Sequence, residues 1–441
     1  MTPAVRALLE RDTFSPYRVA GLAARYDISR LDSLVYDGSN RVQLVGDLSG
    51  NSAVNGLVLN GVAGNYASAP DSAAVSITGD IDLRVLVNPS TLATGSSVIS
   101  KLASGGGAYL LRLATTSIIF DHWDSGGTQR SATIAGAALT GVLQWVRVTM
   151  AVATGARTAY TSPDGVTWTQ YGSTSTLGAT SIRDTTDIIE VGSRSNGVAE
   201  LVTGIIYRAQ IYSGIAGTLV FDANFTGAAK LATSFTESSS NAATVTINTT
   251  GALGARICGA RDLVQMTVAN QPVLTIASGG NYLTFDGSND YLKAASFSLS
   301  QPESVYFTGS QVAWGANLAL CDGNTFDTLR IVQSDASTDL RIRCGSSEPA
   351  GTEIQLPLGT RGVLTAIYNT TASSLRLNNG AVNVGTVGAA TPSGFTLASR
   401  DDGAGPSNIT VSEIIIRSAA DSTPLQSRIA SYLIRKWRIT P

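Results

Sequence analysis

The sequence is poor in the residues that build metal sites and nucleophile sites. It holds one histidine, four lysines and three cysteines in 441 residues. A single histidine excludes a zinc site with several histidine ligands, and the cysteines are too scattered to replace them. Three cysteines cannot all pair within one chain, so we expect buried thiols, and we leave open a bridge between Cys321 and Cys344.

Charge and long apolar runs are also scarce. Charged residues make up 14% of the chain, the formal net charge is −2, and no block of like charge occurs. We therefore expect no nucleic-acid-binding surface. No run of about 18 apolar residues is present, so we predict no insertion into a membrane. The opening stretch MTPAVRALLERDTF lacks the apolar segment of a secretory signal, which predicts synthesis in a cytoplasm.

Short strand-like runs are abundant. Runs such as DIDLRVLVN, QWVRVTMAV and GIIYRAQIYS are alternating or wholly apolar, and Gly, Pro, Asn and Asp separate them. Hydrophobic residues make up 43% of the chain, and there are 45 glycines. Many short strands with no helices between them predict antiparallel β-sandwiches. The length fits two to three domains.

The strand pattern occurs twice in the same order. GLVLNGVAGNYASAPDS corresponds to YLTFDGSNDYLKAASFS, and QWVRVTMAVATGARTAYTSPDG corresponds to GVLTAIYNTTASSLRLNNG. DIIEVGSRSNGVAELVTGIIYRAQIYS likewise corresponds to GFTLASRDDGAGPSNITVSEIIIRSAAD. We therefore predict a duplicated sandwich, with the first copy at residues 56–226 and the second at 281–441. Residues 227–280 are rich in Ser, Thr, Asn and Ala, and are predicted as a connector.

The N-terminal residues do not follow the strand pattern. Residues 2–11 begin like a helix, with Thr2 followed by Pro3, and the residues from 12 to 55 show no sustained periodicity. We interpret residues 1–55 as a docking arm, because so long a loop is unusual inside a compact domain. Its apolar side chains lack a domain of their own. We expect residues 1–35 to bury against another chain, and leave open that they fold back over the first sandwich.

The C-terminal residues predict one short helix. Thr423 and Pro424 suit a helix start, and four apolar side chains then recur on one face at Leu425, Ile429, Leu433 and Trp437. We expect this helix to pack on the second sandwich, and leave open that it serves a partner.

These motifs together resemble a known family. The order FDGSNDYL, YNTTASSLRLNNG, SEIIIRSAAD and a final IASYLIRKW helix is similar to the concanavalin A-like, laminin-G-like jelly rolls common in bacteriophage virion proteins. The resemblance covers residues 56–225 and 281–441. It implies an all-β chain of two tandem jelly-roll sandwiches with an N-terminal arm and a short C-terminal helix.

The same resemblance implies a function. It points to a non-enzymatic structural component of a bacteriophage particle, such as a tail fibre, a spike or a head decoration, located in the virion. It also implies a homo-oligomer that is attached to other virion proteins through residues 1–35 and contacts host polysaccharide. The alternative is a carbohydrate-binding, lectin-like module or adhesin outside a virion.

The stretch FDGSND is the first candidate site. Asp286, Asn289 and Asp290 could offer three oxygen ligands to calcium, which needs six to eight. The corresponding stretch of the first sandwich, LNGVAGNYA, lacks the two acidic residues, and both stretches share a glycine-containing turn. We expect a turn, and we keep calcium as a second interpretation. No other cofactor is expected.

The only histidine gives a second candidate. His122 and Trp123, in FDHWD, could form part of a sugar-stacking surface, although a structural or merely exposed histidine is the simpler interpretation. No catalytic residue is predicted, because no nucleophile-elbow motif and no paired-carboxylate string of the glucanase type occurs. The stretch TSPDGVTW at 161–168 resembles the Asp-box turn of sialidases with one residue too few, and is expected to be a hairpin turn.

Overall fold

The computed structural model describes residues 14–51, 54–92, 95–103, 106–251, 254–295, 297–334, 336–345 and 353–440. The chain forms two compact units, Val54–Ala260 and a discontinuous unit of Met1–Ala53 with Arg261–Pro441. We call them the first and the second sandwich. The predicted helix at residues 2–11 lies outside the described residues.

The strands follow one another along the whole described chain. Three lie in the N-terminal segment: β1 (Leu22–Asp27), β2 (Leu34–Tyr36) and β3 (Val42–Val45). The first sandwich contains β4 (Gly56–Asn60), β5 (Tyr66–Ala69), β6 (Ile81–Thr91), β7 (Ser96–Lys101), β8 (Tyr109–Ala114), β9 (Ser117–Trp123), β10 (Gln129–Ala135), β11 (Gln144–Ala151), β12 (Ala156–Ser162), β13 (Thr169–Thr176), β14 (Ile189–Val191), β15 (Thr203–Ser213), β16 (Thr218–Asn224), β17 (Ser234–Thr236), β18 (Thr244–Asn248) and β19 (Arg256–Cys258).

The second sandwich contains the remaining strands. They are β20 (Leu263–Val264), β21 (Val273–Thr275), β22 (Tyr282–Asp286), β23 (Leu292–Lys293), β24 (Glu303–Gln311), β25 (Ala319–Asp322), β26 (Arg330–Gln333), β27 (Asp339–Arg343), β28 (Ile354–Gln355), β29 (Gly362–Tyr368), β30 (Ser373–Leu377), β31 (Val382–Gly385), β32 (Thr396–Leu397) and β33 (Asn408–Arg417). The helix α1 spans Thr423–Lys436. Short 3-10 turns lie at Pro16–Arg18, Leu31–Ser33, Phe225–Gly227, Val268–Asn270 and Thr370–Ala372.

Each unit consists of two sheets. In the first sandwich, sheet 1A has the order β13-β12-β11-β6-β15-β4-β19, with β16 also paired to β15, and sheet 1B has the order β10-β9-β8-β7-β14-β5-β18-β17. In the second, sheet 2A has the order β21-β22-β33-β24-β29-β30-β31, with β1 also paired to β33, and sheet 2B has the order β2-β3-β20-β23-β32-β25-β26-β27-β28. The all-β fold class with two tandem jelly-roll sandwiches and a C-terminal helix is thus confirmed.

Alternation along the strands divides core from outer face. In β6, the side chains of Ile81, Leu83, Val85 and Val87 lie in the core of the first sandwich, whereas Asp82 and Arg84 point to the other side. This is the period of two that a strand imposes on its side chains. The three predicted segment pairs also hold: β4-β5 and β22-β23, β11-β12 and β29-β30, and β14-β15 and β32-β33 occupy equivalent sheet positions.

The predicted domain boundaries differ from those of the structure. Residues 227–280 are not a connector, because β17, β18 and β19 extend the sheets of the first sandwich, and β20 and β21 extend those of the second. The backbone of such a segment gains hydrogen bonds by joining a sheet edge, which a free linker would leave to water.

The N-terminal residues are also not a separate arm over the part that the structure describes. β1 pairs with β33 along Leu22↔Arg417 to Asp27↔Glu413, and β3 pairs with β20. Apolar side chains of this segment, including Ala24, Tyr26 and Val42, belong to the core of the second sandwich. The expected burial of residues 1–35 against another virion protein is therefore corrected for residues 14–35, which bury within their own unit, and residues 1–13 lie outside the described residues.

The C-terminal helix packs as predicted. Ile429 and Leu433 of α1 are fully buried against Tyr306, Val363 and Ile415 on the outer face of sheet 2A. The helix begins one residue earlier than expected, with Ser422 rather than Thr423 at the N-cap position. No helix in the described ranges is long and apolar enough to span a membrane.

Candidate functional site

The FDGSND stretch forms a turn closed by its own side chains. Asp286 Oδ1 accepts hydrogen bonds from the backbone N–H groups of Ser288 at 2.8 Å and Asn289 at 3.3 Å. Asp290 is buried, its Oδ2 accepts from the N–H of Asp286 at 3.1 Å, and burial raises its pKa to about 6. These are local bonds that Asp makes in turns. The echo YDGSN is built alike, with Asp37 Oδ1 accepting from the N–H of Ser39 at 2.8 Å.

Calcium at this turn stays a prediction. Asp286 and Asp290 each accept a backbone N–H group within the turn, and Asp290 is buried. Among the described residues, no group of three or more His, Cys, Asp or Glu side chains could hold a metal ion. Cys258, Cys321 and Cys344 are buried free thiols, so the bridge left open between the last two is absent.

The second candidate, His122 with Trp123, lies in the interior. His122 is fully buried, stacks on Phe120 with ring centroids 6.1 Å apart, and has its ring nitrogen Nδ1 3.2 Å from Arg157. Burial and the Arg157 charge lower the pKa of His122 to about 4, which keeps the imidazole neutral. Trp123 is 8% exposed and packs on Leu102 and Leu110. Neither ring offers a surface to a glycan, because both residues lie in β9, whose side chains are buried on both faces.

The most distinctive polar surface is the outer face of sheet 1A. Strand register places one side chain from each of five adjacent strands in a single row across this face. The row consists of Gln170, Tyr160, Arg147, Arg84 and Gln210. The next row includes Thr149, Asp82 and Tyr212. Together with Trp168, we call these residues the open face.

One buried carboxylate organises the centre of the open face. Asp82 is fully buried and accepts two hydrogen bonds from each of Arg84 and Arg147, at 2.8–3.1 Å. Burial alone would raise the pKa of Asp82, but the two guanidinium groups outweigh burial and hold that pKa below its ordinary value. Both arginines donate through Nε and Nη2, so the Nη1 group of each remains without a partner among the described residues. Two cations against one anion leave an excess positive charge.

Aromatic rings frame these arginines. The guanidinium carbon of Arg84 lies 4.2 Å from the ring centroid of Tyr212, and that of Arg147 lies 5.2 Å from the ring of Tyr160. The ring centroid of Trp168 lies 5.5 Å from the guanidinium carbon of each arginine. These distances are within cation–π range. All three aromatic side chains are half-buried, so each keeps part of its ring accessible.

The TSPDGVTW turn explains how Trp168 reaches the face. Asp164 Oδ1 accepts from the N–H groups of Val166 and Thr167, both at 2.8 Å, and these bonds lower the pKa of Asp164 to about 2. Ser162 Oγ adds a hydrogen bond to the same oxygen at 2.8 Å. The turn is structural, as predicted from its sequence. Its effect is to direct Trp168 onto the sheet, and that consequence was missed because it depends on which strands lie beside the turn.

The equivalent face of the second sandwich is built differently. There, Tyr306 on β24, Val363 on β29 and Ile415 on β33 are fully buried beneath α1. The strands β6, β11 and β15 occupy the same sheet positions in the first sandwich, where they carry Arg84, Arg147 and Gln210 instead. The duplicated fold thus has one copy of this face covered by its own helix and one copy with polar and aromatic side chains.

The open face presents groups that can bind a ligand. Its central carboxylate, Asp82, is buried and held by two arginines. Amide and guanidinium groups supply donors, Gln170 supplies an acceptor, and the rings supply flat apolar surface with polar tips. These groups suit a flat, hydroxyl-rich ligand.

Comparison with known proteins identifies no family. No family model and no curated protein matches the chain. Solved structures with a similar arrangement include a Bacteroides ovatus protein assigned to carbohydrate binding, at 12% identity and a TM-score of 0.35. That match covers 47% of this chain and 60% of the other, so the chain spans only part of that protein's length.

Two further solved structures are similar at the same level. The CBM40 module of a Ruminococcus gnavus sialidase, bound to sialyllactose, matches at 14% identity and a TM-score of 0.29, over 37% of this chain and 93% of that one. Domains LG4-5 of the mouse laminin α1 chain match at 11% identity and a TM-score of 0.34, over 83% of this chain and 90% of that one. Likeness at this level carries no argument about ligand or role.

Proposed function

We propose that the chain is a non-enzymatic carbohydrate-binding protein and that the open face of the first sandwich is its binding surface. The observation that carries this proposal is the row of Gln170, Tyr160, Arg147, Arg84 and Gln210, with the ring of Trp168 beside its two arginines. A sugar ring stacks its C–H face on an aromatic side chain and offers its hydroxyls to amide and guanidinium groups.

The pre-set geometry of the face supports this role. Asp82 fixes both arginines through paired hydrogen bonds, so their free Nη1 groups are positioned before a ligand arrives. Fixing polar groups in advance lowers the entropy lost on binding. The excess positive charge also suits sugars that carry a carboxylate, since a guanidinium can donate two parallel hydrogen bonds to one.

The test is a glycan-binding screen of the full chain. The panel contains neutral oligosaccharides and oligosaccharides with uronic acid residues. We expect binding to at least one of them, and Trp168→Ala to weaken it by about tenfold or more, the loss expected for one central aromatic contact. Trp314→Ala is the matched control, because Trp314 lies in the second sandwich and is 39% exposed. A chain that binds no glycan, or a Trp168→Ala variant that binds as well as the parent, would refute the proposal.

The virion role predicted from the sequence remains a proposal of its own. Tyr, Trp and Arg are also enriched at protein–protein interfaces, so the open face could serve a particle protein as well as a glycan. Immunogold labelling of phage particles with antibody to this chain separates the two cases. Label on intact particles supports a virion component, and label confined to non-viral cell fractions supports a lectin-like module.

A further inference from the structure

The two sandwiches place an equivalent strand in an equivalent position but take it from different parts of the chain. In sheet 1A, β4 pairs with the first part of β15, and β16 pairs with the rest, from Arg208 to Ser213. In sheet 2A, β22 pairs with the first part of β33, and β1 pairs with the rest, from Glu413 to Arg417. The strand β1 therefore occupies the same position in the second sandwich as β16 occupies in the first.

The similarity extends beyond this strand. After β16, the chain crosses to sheet 1B and forms the hairpin β17-β18. After β1, it crosses to sheet 2B and forms the hairpin β2-β3. Each sandwich thus receives one strand in its first sheet and one hairpin in its second, although β18 pairs directly with β5 whereas β3 is joined to β23 through β20. We call residues 14–51, which contain β1, β2 and β3, the closing segment.

The connections differ in one respect. In the first sandwich, the short turn at 214–217 leads directly from β15 into β16. In the second, β33 leads into α1, and the strand that completes the sheet comes from the other end of the sequence, at Leu22–Asp27. Along the chain, the closing segment is followed by the first sandwich, although the sandwich that it completes is the second.

Noncovalent contacts hold the closing segment in place. Glu413 of β33 accepts hydrogen bonds from Tyr17 at 2.7 Å, from Lys436 at 2.6 Å and from the Trp437 indole at 2.9 Å. Arg25 adds an ion pair to Glu413 at 3.3 Å. The side chain of Arg417 donates to the carbonyl groups of residues 19 and 20, at 3.1 and 2.7 Å. No disulfide ties the segment down, since all three cysteines are free.

We propose that this closure is exchangeable between copies: the closing segment of one chain completes the second sandwich of another, which joins copies head to tail. A second copy presents the same strand, the same hairpin and the same charged partners, so each of these contacts can also form between chains. Exchange of an identical element is a low-cost route to oligomers.

The internal order of the chain supports this partner. Residues 218–248 complete the first sandwich, and the chain then forms β19 at the edge of sheet 1A before it enters the second sandwich. An exchanged closing segment would complete the second sandwich of one copy and continue into the first sandwich of the next. The connection between copies would therefore lead from a completed sandwich into the next one, as the chain already does once within itself, and it needs no new strand pairing.

The experiment uses two full-length variants. One has a disabled closing segment, and the other has a second sandwich that cannot accept a closing segment. Ala24→Asp places a charge at a fully buried position of β1 and disables the closing segment as a donor. Glu413→Lys reverses the charge that faces Arg25 and Lys436, and disables the second sandwich as an acceptor. The two variants carry different tags, are unfolded together, are refolded at high concentration, and are analysed by light scattering after capture on one tag.

The proposal expects each variant alone to have the mass of one chain and the mixture to give a complex of two chains with both tags. Asp32→Ala, an exposed position of the same segment, serves as control and should exchange like the parent chain. Unmodified chains with two tags, refolded together, provide a second measurement that does not depend on the variants folding. Co-capture of both tags at high but not at low concentration supports exchange. Single chains at every concentration, with no co-capture, overturn it.

Discussion

Glu303 makes the stability of the second sandwich sensitive to pH. It begins β24, is fully buried, and points into the core on the same side of the strand as Val305 and Phe307. Its two carboxyl oxygens have no hydrogen-bond partner among the described residues. The same holds for the hydroxyl group of Tyr368, its neighbour on the adjacent strand. Burial raises the pKa of Glu303 from 4.5 to about 7, because an unpaired carboxylate is costly away from water.

The size and direction of the effect follow from these two values. Below pH 4.5 the carboxyl is protonated in both the folded and the unfolded chain. As the pH rises from 4.5 to 7 the unfolded chain releases the proton while the folded chain retains it, so the free energy of unfolding falls. At about 1.4 kcal/mol per pH unit, the loss is about 3 kcal/mol once the pH passes 7.

Glu303→Gln isolates this contribution, since glutamine has the same shape and does not titrate. Between pH 4.5 and pH 7.5, we expect the free energy of unfolding of the variant to rise by about 3 kcal/mol relative to that of the parent chain. The free energy of unfolding would be measured by urea denaturation with circular dichroism at several pH values. Glu353→Gln, whose side chain is 54% exposed, is the control. If the stability curves of the parent and Glu303→Gln run parallel from pH 4.5 to 7.5, the argument is wrong.

Three further predictions concern the first sandwich. The buried His122, with its pKa near 4 instead of 6.5, should lower the free energy of unfolding as the pH falls from 6.5 to 4, by about 3 kcal/mol, and urea denaturation of His122→Gln should lack this slope. Asp82→Asn should lower the free energy of unfolding by about 3 kcal/mol at pH 7 because it leaves two guanidinium groups without their anion, whereas Asp32→Asn, at an exposed pair, should leave it unchanged. Removal of divalent cations with a chelator should leave glycan binding unchanged, since no described side chain of the open face belongs to a metal-ligating cluster; loss of binding that calcium restores would contradict this.

The repeated sandwich could be predicted because its signals are local. Alternation in segments such as β6 and β11, turn residues between them, and the order of corresponding segments all survive in the sequence without knowledge of partners. The helix α1 could also be predicted, because four apolar side chains recur on one face over Leu425–Trp437. The turn at Asp286 followed from the local bonding habits of Asp and Asn.

The remaining features depend on contacts between distant residues. The strand β1 has the buried pattern of a strand covered on both sides, and nothing in LAARYD indicates that its partner is Glu413–Arg417. The open face was missed for the same reason, since Arg84 and Arg147 meet only through the register of β6 and β11. The polar residues around His122 do not show from sequence alone whether its ring is buried or exposed, and the structure shows β9 covered on both sides.

The discontinuous second sandwich has a consequence for synthesis on the ribosome. Leu22–Asp27 is made early, while its partner strand ends about 390 residues later, at Arg417. At about 5–20 residues per second, the segment waits about 20–80 s for the strand that it will cover. During that interval the first sandwich, which is continuous from Val54 to Ala260, can already fold. The waiting strand has unpaired backbone groups that can join another sheet edge. Closely spaced ribosomes on one messenger RNA would therefore bring finished and unfinished copies together. At that stage the closing segment of an unfinished copy can still pair either with its own second sandwich or with that of a neighbouring copy.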